Sequence, residues 1–162
     1  MMTLCRAPLA IDMNGAWQIG ILKREHIPAV AELERLCFSE PWSENSLAIL
    51  TAENNFGVVA TLDGRAVAYG GMTCVLDEGA VTNIATHPDL RRRGLGREIL
   101  RALLCEARKR GARTVFLEVR ESNEAARALY LSEGFYECGI RKNFYRHPTE
   151  NAVQMAFSQE EE

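Results

Sequence analysis

The sequence predicts a mixed α/β fold: a central sheet, antiparallel in its N-terminal half, with helix crossovers in the half that follows. Three observations carry this. Apolar, β-rich runs follow one another between residues 56 and 86, the first two joined across Asp63-Gly64, and Asp-Gly between such runs is a hairpin signal. From residue 94 onward, helical and strand-like periodicities alternate. The 162 residues, 47% hydrophobic and 25% charged, suit one globular domain with a core of its own.

Taken in order, residues 17–22 read as a first strand. A helix over about 24–38 turns Val30, Leu33 and Cys37 inward, and Pro28 falls in its first turn, where a missing N–H is tolerated. Pro41 breaks that helix, and Ser43 is placed to cap a shorter one through Leu50. Strands over 56–62 and 65–76 form the hairpin, a turn is expected at Glu78-Gly79, and residues 81–86 form a third strand. A helix over about 94–110 carries Leu95, Ile99, Leu103 and Ala107 on one face and a Glu106–Arg110 pair on the other, and Gly111 stops it. Residues 113–120 are a strand. Asn123 caps a helix to Glu133, which Gly134 ends. Strands over 135–145 and 151–157 close the chain, linked by a loop with His147-Pro148. The order β-α-α-β-β-β-α-β-α-β-β packs as one sheet with helices on it. Residues 1–17 are expected to be a loosely ordered extension, 18–158 a single domain and 159–162 an acidic tail.

Composition excludes several functions. The net charge of −3 argues against direct nucleic-acid binding over the whole surface. Cys5, Cys37, Cys74, Cys105 and Cys138 contain no C-x-x-C pair, and His26, His87 and His147 are scattered. That fits neither a disulfide framework nor a metal motif, so no metal is expected, and the thiols read as incidental in a reducing cytosol. No apolar run has the length of a membrane span, and the first residues lack the pattern of a signal peptide, so a cytoplasmic protein without membrane contact is expected.

Two stretches carry chemistry. "HPDLRRRGLGREIL", His87 to Leu100, follows a strand and opens a helix. Glycines let a ligand approach the backbone, and first-turn N–H groups lack intrahelical acceptors, so the stretch reads either as a phosphate cradle or as a charged helix start. It is neither a Walker loop, which ends in G-K-[ST], nor a G-x-G-x-x-G dinucleotide loop. In "FLEVRESNEAARALY", strand alternation puts Phe116, Glu118 and Arg120 on one face and Leu117 and Val119 on the other. A mid-strand acid is disfavoured, although a surface carboxylate beside Arg120 would account for it. Asn123 and Tyr130 are seven residues apart and share one side of a helix, where Tyr130 could equally be a core aromatic.

Together these pieces resemble the GNAT family of acetyl-CoA-dependent N-acetyltransferases. The family signature, a glutamine or arginine, two residues, then G-x-G or G-x-A, is matched by Arg91-Arg92-Arg93-Gly94-Leu95-Gly96, and the resemblance runs over residues 19–157. "FSEPWSENSL", "VTNIATHPDLRRRGLG", "LEVRESNEAARALYLSEGF" and "GIRKNFYRHPTENAVQM" are similar to the branch that acetylates the N-terminal alanine of a small-subunit ribosomal protein. The chain departs from that branch at Thr86, where valine is usual, at Asn151, where aspartate is usual, and at Phe144, where a tyrosine commonly precedes Tyr145.

The resemblance implies a sheet splayed around a central parallel pair, and acetyl-CoA as cosubstrate. It implies Glu118 as general base, acting through water, and Tyr130 as the acid that protonates the coenzyme sulfur. It assigns an oxyanion donor to the backbone near Ile84, and the pantetheine arm to Ile84, Ala85 and Thr86. The pyrophosphate would lie on Arg91, Arg92, Arg93, Gly94, Leu95, Gly96 and Arg97, mainly on backbone N–H groups, with Asn123 binding the cofactor from the next helix. Phe38, Trp42 and Tyr145 would line the substrate side. The implied partner is a ribosomal-protein N-terminus. Lysine side chains, other N-termini and small amines stay open as acceptors, and a non-catalytic acetyl-CoA sensor is the rival of a different class. Oligomeric state is not legible from these residues.

Overall fold

The computed structural model describes residues 17–159; the expected N-terminal extension through residue 16 and the tail from residue 160 lie outside the described residues. The elements are β1 (Gln18–Ile21), α1 (Ile27–Cys37), α2 (Glu44–Leu47), β2 (Asn55–Leu62), β3 (Arg65–Val75), β4 (Glu78–Thr86), α3 (Leu95–Lys109), β5 (Thr114–Arg120), α4 (Glu124–Ser132), β6 (Tyr136–Tyr145) and β7 (Glu150–Ser158). Single 3-10 turns precede α1, follow α2 and fill Pro88–Leu90. The strands form one seven-stranded sheet in the order β1-β2-β3-β4-β5-β7-β6. The expected mixed α/β architecture is thus present, with β4 and β5 as the parallel pair.

The hairpin turns where expected. Asp63 (φ 49°) and Gly64 (φ 79°) both take left-handed conformations, which match the twist of the flanking strands. The next turn corrects the sequence reading. It falls at Leu76-Asp77, and Glu78 and Gly79 already pair with Val75 and Cys74 in the sheet. Gly79 is there for packing: a Cβ on it would lie 2.8 Å from Met72 Sδ. Leu76 supplies the left-handed residue instead (φ 55°) and stands 91% exposed. The second helix is also shorter than expected, since Ser43 caps it through the Ser46 N–H but its last turn is 3-10.

Two cores lie on opposite faces of the sheet. On one face α3 buries Leu95, Ile99, Leu103 and Ala107, the four residues its periodicity marks as inward, against Val58, Ala68, Val115, Leu117 and Val119. On the other, Val30 and Leu33 of α1 meet Leu47, Leu50, Val59, Tyr69 and Ala85. The two adjacent glycines of β3 let both layers come close. A Cβ on Gly70 would sit 2.6 Å from Leu103 Cδ1, and one on Gly71 would sit 2.6 Å from Thr82 Oγ1 and 2.7 Å from Leu50 Cδ2.

The feature that makes a site is the parting of the parallel pair. β4 and β5 pair only at Glu78–Thr114, Gly79–Val115 and Ala80–Phe116. Next to this point the β3–β4 register shifts: Met72 pairs with Val81 and Gly71 with Asn83, leaving Thr82 as the extra residue of a bulge. A bulge bends its strand, and from here β4 and β5 diverge around a cleft.

Candidate active site

The wall formed by β4 offers its backbone to this cleft. The His87 N–H bonds to Val67 O at 2.8 Å, so residue 87 faces β3. In an antiparallel ladder both backbone groups of a residue point the same way and alternate along the strand. Ala85 therefore faces β3, as its pairing with Tyr69 agrees, while Ile84 and Thr86 direct N–H and C=O toward the cleft. The Thr86 carbonyl is partly used, accepting from Cys37 Sγ at 3.3 Å.

At one end of the cleft the loop of residues 91–94 leads into α3. Arg91, Arg92, Arg93 and Gly94 are exposed, Arg92 (φ 66°) and Gly94 (φ 81°) are left-handed, and Leu95 is buried and anchors the helix. Glu98 N–H makes the first intrahelical bond, to Gly94 O at 3.1 Å. The N–H groups of Leu95, Gly96 and Arg97 thus have no acceptor within the helix, an arrangement that suits an anion. Gly96 looks across the gap, since its missing Cβ would lie 3.6 Å from Thr86 Oγ1 and 3.9 Å from Leu129 Cδ2. The Arg97 side chain turns elsewhere: its Nη1 donates to Glu133 Oε2 at 3.0 Å and to Ser132 Oγ at 3.1 Å, leaving only its backbone for the loop. Arg101 joins Arg97 on Glu133, and the two guanidiniums hold that carboxyl below the usual range. This cluster fixes α4 against α3. At the other end of α4, Asn123 Oδ1 accepts from the Ala126 N–H at 3.2 Å, which leaves its amide NH₂ for other partners.

Glu118 and Tyr130 come to the cleft from opposite faces of the sheet. The neighbours of Glu118 on β5, Leu117 and Val119, are buried in the α3-side core, so Glu118 points to the α1 side. Tyr130 packs on the α3-side core, its ring centroid 5.8 Å from that of Phe135 and tilted to it by 55°. Tyr145 links them. Its phenol is pushed up by burial and then by the charge on Glu118, and Tyr145 in turn adds to the burial that pushes Tyr130 up to about 12. Glu118 Oε1 also lies 3.5 Å from Arg141 Nε.

On the α1 side stand the segment of residues 38–42 and the loop between β6 and β7. Phe38 is 42% exposed, and Trp42 is half-buried against the α1-side core. From the end of β5, Arg120 gathers the loop that connects β6 to β7, donating to Arg146 O, Pro148 O and Glu150, and its guanidinium covers the Tyr145 ring at 4.5 Å. Asn151 Oδ1 accepts from the Asn143 N–H at 3.0 Å, a bond that a carboxylate would also make. The two segments meet where His147 Nε2 lies 3.6 Å from Glu40 Oε1.

Sequence reasoning missed one cluster here. Glu34, 1% exposed, accepts from Tyr69 Oη at 2.6 Å, from the Trp42 N–H at 2.8 Å and from Asn83 Nδ2 at 3.4 Å. A signal existed: Glu34 lies four residues after Val30 and one after Leu33, on the stripe that faces inward.

The cleft thus brings together a helix start whose first N–H groups lack intrahelical acceptors, a strand edge with outward backbone groups, and a carboxyl and a phenol from opposite faces of the sheet. The Acetyltransferase (GNAT) family model matches residues 27–135. The [ribosomal protein bS18]-alanine N-acetyltransferase of Escherichia coli K12 is 42% identical over 142 residues, covering 85% of this chain and 95% of that one. A putative enzyme of the same name from Bacillus subtilis is 35% identical over 136 residues, covering 83% and 90%. The crystal structure of the ribosomal-protein-S18-alanine N-acetyltransferase from Escherichia coli superposes with a TM-score of 0.83 at 39% identity, covering 90% of this chain and 96% of that one.

Proposed function

The chain belongs to the acetyltransferase (GNAT) family, and from that premise we propose that it transfers acetyl from acetyl-CoA to the N-terminal alanine of a small-subunit ribosomal protein. The observation that carries the acceptor is the 42% identity, over 95% of its length, to an enzyme whose name states that substrate. A substrate of this kind puts the protein in the cytosol, and among the described residues no helix is long and apolar enough to cross a membrane.

The residues present fit acetyl-CoA. Its pyrophosphate suits the N–H groups of Leu95, Gly96 and Arg97, with Arg91, Arg92 and Arg93 adding charge around them. Its pantetheine amides suit the outward backbone of Ile84 and Thr86, with Ala85 locking the strand to β3. The Asn123 amide is placed to reach the cofactor from α4. When bound, the cofactor supplies an acetyl thioester.

The acceptor amine must lose a proton to attack, and a free α-amino group has a pKa of about 7.7–8.0. Glu118 takes that proton through a water on the α1 side. The Ile84 N–H steadies the acetyl oxygen as charge builds on it. On the α3 side, the elevated pKa of Tyr130 keeps its phenol protonated in neutral solution, as a donor must be. Attack forms the C–N bond, and collapse of the oxyanion then breaks the C–S bond. The nitrogen gives up two protons: one passes to Glu118 before attack, and the second leaves once the C–N bond has formed and replaces the proton that Tyr130 gives to the sulfur. Phe38, Trp42 and Tyr145 hold the incoming N-terminus. Entry from opposite faces keeps the two substrates apart except at the gap where β4 and β5 part.

The test is incubation with acetyl-CoA and a short peptide copying the ribosomal N-terminus, beside the same peptide with a blocked terminus and an internal lysine. Acetylation of the free terminus is expected. Acetylation of the blocked peptide alone would reassign the enzyme to lysine.

A further inference from the structure

We infer that Glu34 is a positioning residue for the acceptor: its buried carboxylate ties the Phe38–Trp42 wall to the bulged stretch of β4 and thereby sets the shape of the acceptor half of the cleft. The inference rests on the acetyltransferase reading of that cleft.

Glu34 sits on the α1 side of the sheet, the same side as Glu118. Its contacts join four places in the chain. Oε1 takes the Trp42 N–H, the link to the segment between α1 and α2, which has no regular structure of its own. Oε2 takes the Tyr69 hydroxyl from β3 and the Asn83 amide from β4, and Asn83 Nδ2 also donates to Tyr69 Oη at 2.9 Å. Asn83 stands between Thr82, the bulged residue, and Ile84, whose N–H faces the cleft. One carboxylate therefore holds an acceptor wall and the strand beside the reacting carbon in a fixed relation.

Stability alone does not explain such a group. A buried charged cluster is often no better for stability than apolar residues of the same volume, whereas removing one partner is costly. Hydrogen-bond geometry does account for it: three donors converge on two oxygens, which holds a loop that packing by Trp42 alone would leave free to shift. A shift of about 1 Å in a substrate-positioning group can cost on the order of a hundredfold in rate. Glutamine at 34 breaks the set without changing its volume. Its oxygen can still take the Trp42 N–H, but its NH₂ then faces the Asn83 amide, donor against donor.

The test is steady-state kinetics of Glu34→Gln and Tyr69→Phe with the alanine-terminated peptide and acetyl-CoA, alongside hydrogen exchange at the Trp42 amide. The acceptor KM should rise about tenfold in Glu34→Gln and about threefold in Tyr69→Phe, the acetyl-CoA KM should stay within about twofold, and Trp42 should exchange faster. If Glu34→Gln does not fold, Tyr69→Phe, which loses a single hydroxyl, carries the test. An unchanged acceptor KM in an active variant overturns the inference. So does an equal rise in both KM values, which would mark a general loosening. A wild-type protein that acetylates no N-terminal peptide overturns the functional reading and this inference with it, and is told apart because the failure appears before any substitution.

Discussion

Substituting Gly94 by alanine separates two sources of loss that a structure alone merges. A Cβ at Gly94 would meet nothing within 4 Å, so crowding contributes nothing. What remains is conformation: at φ 81° an L-residue is left-handed, at a cost of about 1–2 kcal/mol. That energy must appear somewhere. If the loop keeps its shape without ligand, the whole amount is lost from stability, and acetyl-CoA affinity is unchanged. If the free loop relaxes, stability is spared and binding must restore the strained shape, which weakens affinity by about 5- to 30-fold at 1.4 kcal/mol per tenfold. Residues 91–94 are all exposed, so the second outcome is expected: a clear loss of affinity by calorimetric titration with a melting temperature within a few degrees of wild type. Gly64→Ala is the matched control, with φ 79° and nothing within 4 Å, in the turn that closes the β2–β3 hairpin. It should lower the melting temperature and leave acetyl-CoA binding alone. Gly94→Ala with wild-type affinity and wild-type melting would refute the reasoning, because the strain would have no place left to act.

Four further outcomes are expected. Glu118→Gln and Tyr130→Phe should each lower kcat by about 10²–10⁴ while acetyl-CoA dissociation constants stay within about twofold; a large loss of cofactor affinity in either would mean the roles are misassigned. Gly70→Ala should destabilise the fold by about 1–3 kcal/mol in denaturant titration, since its Cβ would press on Leu103 and Ile99 of α3, side chains with no free space. Glu133 is held below its ordinary carboxyl value of 4.5 by Arg101 and Arg97, so its contribution to stability is present above that value and lost as pH falls through the lower folded value; Glu133→Gln should flatten the acid limb of a stability–pH profile. The Tyr130 phenol, raised to about 12, should stay protonated throughout the working range, so kcat/KM should rise with pH up to the acceptor's own pKa with no fall from Tyr130 below about pH 10.

Much of this was legible from residues, for reasons that can be named. Leu95, Ile99, Leu103 and Ala107 recur at helical spacing and lie buried as a set. Glu118 is an acid where alternation allows only one face, and the fold turns that face toward the cleft. Spacing could not supply what depends on contacts between distant segments. The Glu78-Gly79 turn was misplaced because a glycine before a strand reads as a turn, while its reason for being glycine, the sulfur of Met72, is a cross-strand contact. Arg97 is a phosphate candidate through its backbone N–H, and spacing does not reveal that its side chain answers to Glu133, 36 residues on. Glu34 on the inward stripe of α1 is a signal in the sequence, but Tyr69 and Asn83 are ordinary in their own segments, and only the packing of α1 over the bulge brings the three together.

The measurement that bears most directly on the central claim is the site of the acetyl group on the intact small-subunit ribosomal protein after reaction with this enzyme and acetyl-CoA, located by fragmentation mass spectrometry. The account predicts acetyl on the α-amino group of the N-terminal alanine, with no such product when Glu118→Gln replaces the wild type over the same period. Acetyl on internal lysines with the terminus free, or equal labelling by wild type and Glu118→Gln, would contradict it.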